Sequence, residues 1–268
     1  MQPFDPLAAS YDADFTESLI ARTLRGRVHR RLDALFQPGT HVLELGCGTG
    51  EDALHLASRG VRVLATDASD AMLAAARAKT QHSPLVTVAK LDIRYLTAED
   101  AENRGEEDRN SLRSSAISAV NVFNGVFSNF GVLNCLDDWR PLAAWLAARI
   151  RPGEAAAFGV MSPLCLWEIG WHAAHGNFKI AFRRQRRDTR FKGIPICYPT
   201  IRRLTRDFAP HFRRVHVEAL GLFLPPSDVY GALEKRPRLL RPLMALERRF
   251  GHLAPALADH YWIEFRRV

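Results

Sequence analysis

The chain has 268 residues, 47% of them apolar and 25% charged, which is the ordinary balance of a globular protein. A core can form at this length without covalent staples, so a disulfide mini-protein and a disordered tail are excluded. The formal net charge is +8, but residues 179–214 alone carry +10 and the remainder −2. The excess therefore belongs to one segment and points to an acidic or anionic partner for it.

Residues 15–36 have the spacing of an amphipathic helix, with Leu19, Ile20, Leu24, Val28, Leu32 and Leu35 recurring near i, i+4, i+8 and arginines between them. Pro38-Gly39 ends it. His41–Leu45 reads as a short apolar strand running into Gly46-Cys47-Gly48-Thr49-Gly50. A helix is expected over 51–58, with Glu51 and Asp52 in the first turn, where the helix dipole favours acids. Residues 61–66 form a second strand, with Asp67 at its end. Ser69 caps an alanine-rich helix over 70–79, and 85–89 is a third strand ending near Asp92. The polar stretch Glu99–Arg109 reads as a solvated excursion.

A fourth strand (122–128), a helix (138–150), a turn at Arg151-Pro152-Gly153 and a fifth strand (155–161) follow. Strand and helix have then alternated five times, which predicts a mostly parallel sheet covered on both faces. Residues 162–198 break the alternation with two tryptophans, two histidines and the basic run. Helix 200–208 and strand 214–222 resume it, an excursion starts at Pro225-Pro226, and 261–267 is a last strand. One domain is expected: lead-in helices over 1–40, a core over 41–161, an insertion over 162–198, and a closing part over 199–268 with a helical insertion near 225–258.

Four cysteines, Cys47, Cys135, Cys165 and Cys197, lie far apart with no Cys-x-x-Cys pair. Neither a zinc site nor a disulfide framework is expected, and reduced thiols are. No basic leader followed by an apolar run is present, nor any stretch of about 18 apolar residues, so a cytoplasmic protein without a membrane segment is expected.

The glycine loop after the first strand is the strongest chemical signal. Glycines let the backbone turn tightly and approach a ligand, and the following helix offers free N–H groups. A dinucleotide fingerprint needs a third glycine where this chain has Glu51, whose carboxylate would face a pyrophosphate. No Gly-Lys-Ser/Thr follows, which excludes a P-loop. The spacing G-x-G-x-G after Glu44 suits a cofactor carrying an ammonium and a sulfonium instead of phosphates. Asp67, 21 residues after Gly46, can accept both hydroxyls of a ribose, and Asp92 can accept from an adenine amino group with Ile93 against the ring.

With these residues in view the chain resembles the class I S-adenosylmethionine-dependent methyltransferases. The matching segments are Val42–Gly50, Ala65–Ser69, Ala71-Met72-Leu73, Leu91-Asp92-Ile93 and Phe123–Gly131; Phe4-Asp5 through Tyr11-Asp12 is similar to the leading segment of the ubiquinone-type group. Asn124 stands where that family usually has Asp, and it reads as structural. The resemblance implies a Rossmann-like, seven-stranded α/β fold with lid insertions after strands 5 and 6, S-adenosyl-L-methionine as cofactor and in-line methyl transfer. It implies that Gly46, Cys47, Gly48 and Gly50 cradle the methionine and ribose, with Tyr11 and Glu44 beside them. Asp67 and Ala68 would hold the ribose, Asp92 and Ile93 the adenine, and Ser128 and Asn129 the sulfonium side.

The loop Ser128-Asn129-Phe130-Gly131 lacks the Asn/Asp-Pro-Pro-Tyr expected for methylation of an amino base or a glutamine. In the insertion, Trp167, Trp171 and His175 fall on one helix face. Trp171 and His175 are candidate acceptor-pocket residues, and His175, with His172 beside it, a candidate base. The opposing reading is an amphipathic helix packing its aromatics on the sheet. Arg183–Arg187 reads as a solvated face, an anionic-amphiphile or lipid contact, or an RNA contact. Three functions remain open: a methyltransferase acting on a small or amphiphilic acceptor, most simply at oxygen; an RNA methyltransferase; and a cofactor-binding scaffold without turnover.

Overall fold

A seven-stranded sheet in the order β3-β2-β1-β4-β5-β9-β8 organises the protein. The structure, a computed structural model, describes residues 5–8, 11–12, 17–96, 123–186, 189–191 and 193–268. The polar excursion expected over Glu99–Arg109 lies outside them, as do Phe4, Arg187, Asp188 and Lys192.

In chain order the elements are α1 (Leu19–Leu35), β1 (His41–Leu45), α2 (Glu51–Ser58), β2 (Arg62–Asp67), α3 (Asp70–Thr80), β3 (Val86–Lys90), β4 (Phe123–Ser128), α4 (Arg140–Ala147) and β5 (Ile150–Met161). There follow α5 (Leu166–Ala174), α6 (Phe178–Ala181), a two-stranded ribbon of β6 (Arg190–Phe191) and β7 (Ile194–Pro195), α7 (Ile201–Phe208), β8 (Phe212–Leu220), α8 (Tyr230–Glu234), α9 (Pro237–Phe250) and β9 (His260–Arg267). Strands β1 to β5 pair in parallel, and β9 runs antiparallel between β5 and β8. The expected Rossmann-like α/β fold is therefore present. The strand order reverses between β1 and β4, where open α/β sheets bind their ligands.

Both faces of the sheet are covered. One core packs Trp145, Phe158, Phe208 and Phe265; the other packs Ile20, Leu24, Val28 and Leu32 of α1 against Phe127 and Trp262. Three of the arginines between the apolar positions of α1 turn inward, while Arg22 and Arg30 are exposed. Arg25 pairs with Asp52, Arg27 with Glu247 and Arg31 with Glu264. A helix lying on a sheet has a buried flank as well as a buried face, and long guanidinium side chains reach acids there.

Two local expectations change. The turn at Arg151-Pro152-Gly153 sits inside β5, as an irregularity between the pairs Phe123↔Ile150 and Gly125↔Ala155. Gly153, at φ 82°, absorbs it. Accordingly α4 stops at Ala147 and Ile150 opens β5. Asn124 is structural, as read: its Oδ1 accepts from the His41 amide at 3.0 Å, tying β4 to the start of β1.

The four cysteines are free, and no group of metal-ligating side chains occurs among the described residues. No helix among them is long and apolar enough to cross a membrane.

Candidate functional site

Five parallel strands and one antiparallel strand bring their loops to one edge. The loop after β1 turns through Gly46, Gly48 and Gly50, all left-handed at φ 68°, 53° and 83°. A side chain at these positions would strain the backbone. The Cys47 amide donates to the Thr66 carbonyl at 2.8 Å, which fixes the loop to β2. Cys47 itself is buried, and burial pushes its thiol well up, so it is a packing group.

Asp67 ends β2 and faces this loop. Its Oδ2 accepts from the Gly48 amide at 2.9 Å and its Oδ1 from the Ser69 amide at 2.9 Å. Burial raises its pKa, and these backbone bonds only partly oppose that. Each carboxylate oxygen keeps a further acceptor site for a ligand. Ala68 continues the turn, half-buried.

Asp92 follows β3. Arg94 grips it with Nε at 2.8 Å and a second bond at 2.5 Å. Burial alone would raise the Asp92 pKa, but the Arg94 bonds outweigh it and the net shift is down. The carboxylate is thus ionised and pre-aimed. Ile93 is buried beside it.

At the end of β4 the residues behave differently from the sequence expectation. Ser128 is fully buried and its hydroxyl donates to the Leu45 carbonyl at 2.7 Å, so it ties β4 to β1 and lines no open space. Asn129 donates to Asp52 Oδ2 at 3.1 Å and accepts from the Phe130 amide. Phe130 then adopts φ 51°, rare for a bulky residue.

Beneath the loop lies a buried charged cluster that the sequence did not reveal. Arg25 donates to Asp52 at 2.6 Å, His29 Nε2 is 2.8 Å from the same oxygen, and Glu44 stands beside them on β1. Burial would raise the Asp52 pKa, but Arg25 and His29 overcome it and hold the carboxyl far below the usual range. Glu44 goes the other way: burial first, then repulsion from Asp52, lift its carboxyl well above the usual range, with Arg25 opposing. Among the described residues, Glu44 Oε2 and Arg25 Nε are both buried with no hydrogen-bond partner, as is Trp145 Nε1 in the core. Unpaired buried groups are costly, and here two of opposite charge lie under the glycine loop. Arg25 and His29 of α1 are 27 and 23 positions from Asp52, and only the packing of α1 on the sheet brings them to it.

One consequence is measurable. A glutamate whose folded pKa is raised takes up a proton on folding, so its cost is absent below about pH 4.3 and grows with pH until the raised value is passed. Glu44→Gln removes that cost. We expect the melting temperature to rise by a few degrees at pH 8 and not to change at pH 4, checked by calorimetry at both. An equal shift at the two values would contradict the assignment.

The leading segment closes over the loop. Tyr11 lies 3.7 Å from where a Gly48 side chain would begin, and burial raises its phenol pKa. Asp12 accepts from Thr49 and from Lys79, both at 2.7 Å, and Asp5 accepts from Ser69 at 2.6 Å.

On the other side of the edge stands the insertion. Trp167 and Trp171 are half-buried, and Trp167 packs against the core. His175 is exposed at the C-terminal end of α5, its Nδ1–H donating to the Trp171 carbonyl at 2.7 Å, so it serves as a helix stop. His172 is the inward histidine, 3.1 Å from Asp228. The arginine run is not a uniform solvated face either. Arg184 is buried, held by Glu168 and Asp259, and Arg183 reaches Glu168 and Asp228. Only Arg186 of the described arginines in the run is exposed.

Comparison with known proteins agrees with this geometry. Residues 42–104 match the methyltransferase domain family. The chain is 36% identical over 112 residues to a 23S rRNA (uracil(1939)-C(5))-methyltransferase of Ralstonia pickettii, covering 40% of this chain and 23% of that protein. It is 33% identical over 92 residues to an S-adenosyl-L-methionine-dependent Diels-Alderase of Neonectria, covering 32% and 38%. The chain thus spans between a quarter and two fifths of these curated relatives. A solved S-adenosylmethionine-dependent methyltransferase from Mesorhizobium loti shares the fold at TM-score 0.57 and 18% identity, covering 91% of this chain and 98% of that one. Residues 42–104 thus match a methyltransferase domain, and the sheet has the fold of a solved S-adenosylmethionine-dependent methyltransferase.

Proposed function

We propose that the protein moves a methyl group from S-adenosyl-L-methionine to the oxygen of a small organic or amphiphilic acceptor. The observation that carries this reading is the pair of buried, unpartnered atoms, Glu44 Oε2 and Arg25 Nε, under a left-handed glycine loop at the point where the strand order reverses. A carboxylate and a guanidinium side by side suit the ammonium and carboxylate of an amino-acid end. Asp67 suits the ribose hydroxyls, and Asp92 with Ile93 the adenine. Gly46, Gly48 and Gly50 allow close approach, and Tyr11 covers them.

The bound cofactor supplies an electrophilic methyl on sulfur. The residues named above would hold it with its methyl group toward the acceptor side and exclude water. Asn129 and Phe130 face this reaction edge, and the insertions near 162–198 and 225–258 form the acceptor side, with Trp171 as part of its wall. His175, pointing to solvent and bonded to its own helix, does not act as the base. The cytoplasm is the place of action consistent with this chemistry.

A second reading, RNA as acceptor, draws on the basic 179–214 segment and the match to the Ralstonia protein. It predicts RNA binding that weakens steeply with salt and falls when Arg186, Arg190 and Arg202 are neutralised. Arg184, being internal, contributes nothing to it. The Diels-Alderase match keeps a non-methylating role as the third outcome.

Titration of the whole chain with S-adenosylhomocysteine tests the primary reading. Wild type binds, and Asp67→Ala binds at least tenfold more weakly. No binding by wild type ends the reading. Incubation with methyl-labelled cofactor and cell extract then shows label on a small molecule, on RNA, or on nothing.

A further inference from the structure

Strand β9 runs opposite to its neighbour β5, so its first residue lies on the reaction edge, opposite Met161 at the end of β5. That residue is His260. Its Nδ1 is 3.0 Å from Asp259 Oδ2, and its ring meets Phe130 edge-on, with centroids 5.9 Å apart. Phe130 in turn lies under the Arg25 guanidinium, 4.9 Å from its ring centre. The imidazole is therefore one aromatic ring away from the cluster proposed to hold the amino-acid end of the cofactor.

Asp259 is held more firmly than a solvent-side carboxylate. Its amide donates to the Gly221 carbonyl at 3.0 Å, its carbonyl accepts from Ser162 and from Arg184, and its Oδ1 accepts from Arg184 at 2.5 Å. Burial alone would raise its pKa, but His260 and Arg184 together push it far down, so it is an acceptor only. The proton shared with Asp259 therefore sits on Nδ1, and Nε2 points away from the carboxylate. Nε2 makes no hydrogen bond to any described residue, and the side chain keeps 12% of its surface open. A carboxylate that orients the ring through Nδ1 and a second ring nitrogen left unbonded form the arrangement that general bases use. The charged and titratable groups around it are Asp259 itself, Arg184 and Glu168 beyond Asp259, Tyr198 against Arg184, and Arg25 across the Phe130 ring. The strand partners of His260, Met161 and Leu220, are apolar.

We propose that His260, oriented by Asp259, is the general base that takes the proton from the accepting oxygen. The inference rests on the methyl-transfer reading. As the acceptor oxygen bonds to the methyl carbon, the carbon–sulfur pair stays on sulfur and the O–H proton goes to His260 Nε2. The products are the methyl ether or ester and neutral S-adenosylhomocysteine, with His260 as imidazolium until it returns the proton to water.

Two measurements test this on the full chain. In the first, histidines are labelled with 15N and the His260 signal is assigned by its loss in His260→Gln. The expected pattern is hydrogen on Nδ1, and a shift of that signal when S-adenosylhomocysteine is added. Hydrogen on Nε2 instead, or no response to the added compound, overturns the proposal. In the second, label transfer from methyl-labelled cofactor to the small molecules of a cell extract is followed against pH. His260→Gln is expected to lose about 10²- to 10⁴-fold and the acidic limb of the profile. Its affinity for S-adenosylhomocysteine should stay within twofold of wild type. A loss under tenfold, or an unchanged acidic limb, also overturns it. Failure of wild type itself to bind S-adenosylhomocysteine would instead fail the functional reading, while the 15N pattern still judges the dyad.

Discussion

Arg184→Met is expected to lower stability by about 3–5 kcal/mol, or a fall in melting temperature of about 10 °C or more. The reason is the company Arg184 keeps. Its guanidinium donates to both oxygens of Glu168, to Asp259 Oδ1, and to the carbonyls of Ser162 and Asp259. All three charged side chains are at least 95% buried. Removing this guanidinium leaves two buried carboxylates that have lost their shared partner. Arg183, which also reaches Glu168, can offset only a part. The sign with pH follows from Asp259, whose folded pKa is depressed. Its contribution is present above about pH 4 and is lost as pH falls. The deficit of Arg184→Met should therefore shrink on acidification as the orphaned acids take up protons. Thermal melts of wild type and variant between pH 4 and pH 8 measure it, and a constant deficit would rule the account out.

Gly46→Ala is the second large effect, and it falls on cofactor binding. A methyl group there would lie 2.2 Å and 2.8 Å from the two γ-carbons of Val132, on a backbone at φ 68° that non-glycine residues avoid. Both branches of the valine collide, so rotation of one side chain gives no relief, and the loop must move. We expect at least a hundredfold loss of affinity for S-adenosylhomocysteine, with the far-UV spectrum unchanged because the loop, not the sheet, shifts. Adding Val132→Ala should restore part of the affinity by removing the clash. The strain of the left-handed backbone, about 1 kcal/mol, would persist. Full affinity in Gly46→Ala would show that the loop does not approach the ligand.

What the sequence disclosed was local. The glycine loop, Asp67 and Asp92 each announce themselves by position relative to a strand end, and strand ends follow from apolar periodicity. The alternation of strands and helices was likewise enough to foresee the sheet. What it hid depends on residues that meet only after folding. Arg25 and Asp52 are 27 positions apart, and Arg184 and Asp259 are 75 apart. Nothing in the run Arg183–Arg187 distinguishes the buried Arg184 from the exposed Arg186; the acids of α5 and of the turn before β9 make the difference. The exposed position of His175 was hidden for a similar reason. Helical spacing groups it with Trp167 and Trp171, but α5 ends before it, and the histidine facing the reaction edge arrives from a different strand. Ser128 was legible as a strand end, yet its small hydroxyl turns inward to a neighbouring carbonyl.

The place of β9 in the sheet also bears on how the protein folds. It sits between β5 and β8 but follows both in the chain, with α5 to α9 intervening after β5. Until residues 260–267 insert, β5 and β8 each carry a row of unpaired backbone groups, and the residues of the 259–260 turn have no partner strands to hold them. Such edges invite pairing with other chains. Pairing over about a hundred residues of separation also makes the final step slow. Mutations that weaken β9 should therefore first be seen as aggregation during synthesis, before any loss of activity in the protein that survives.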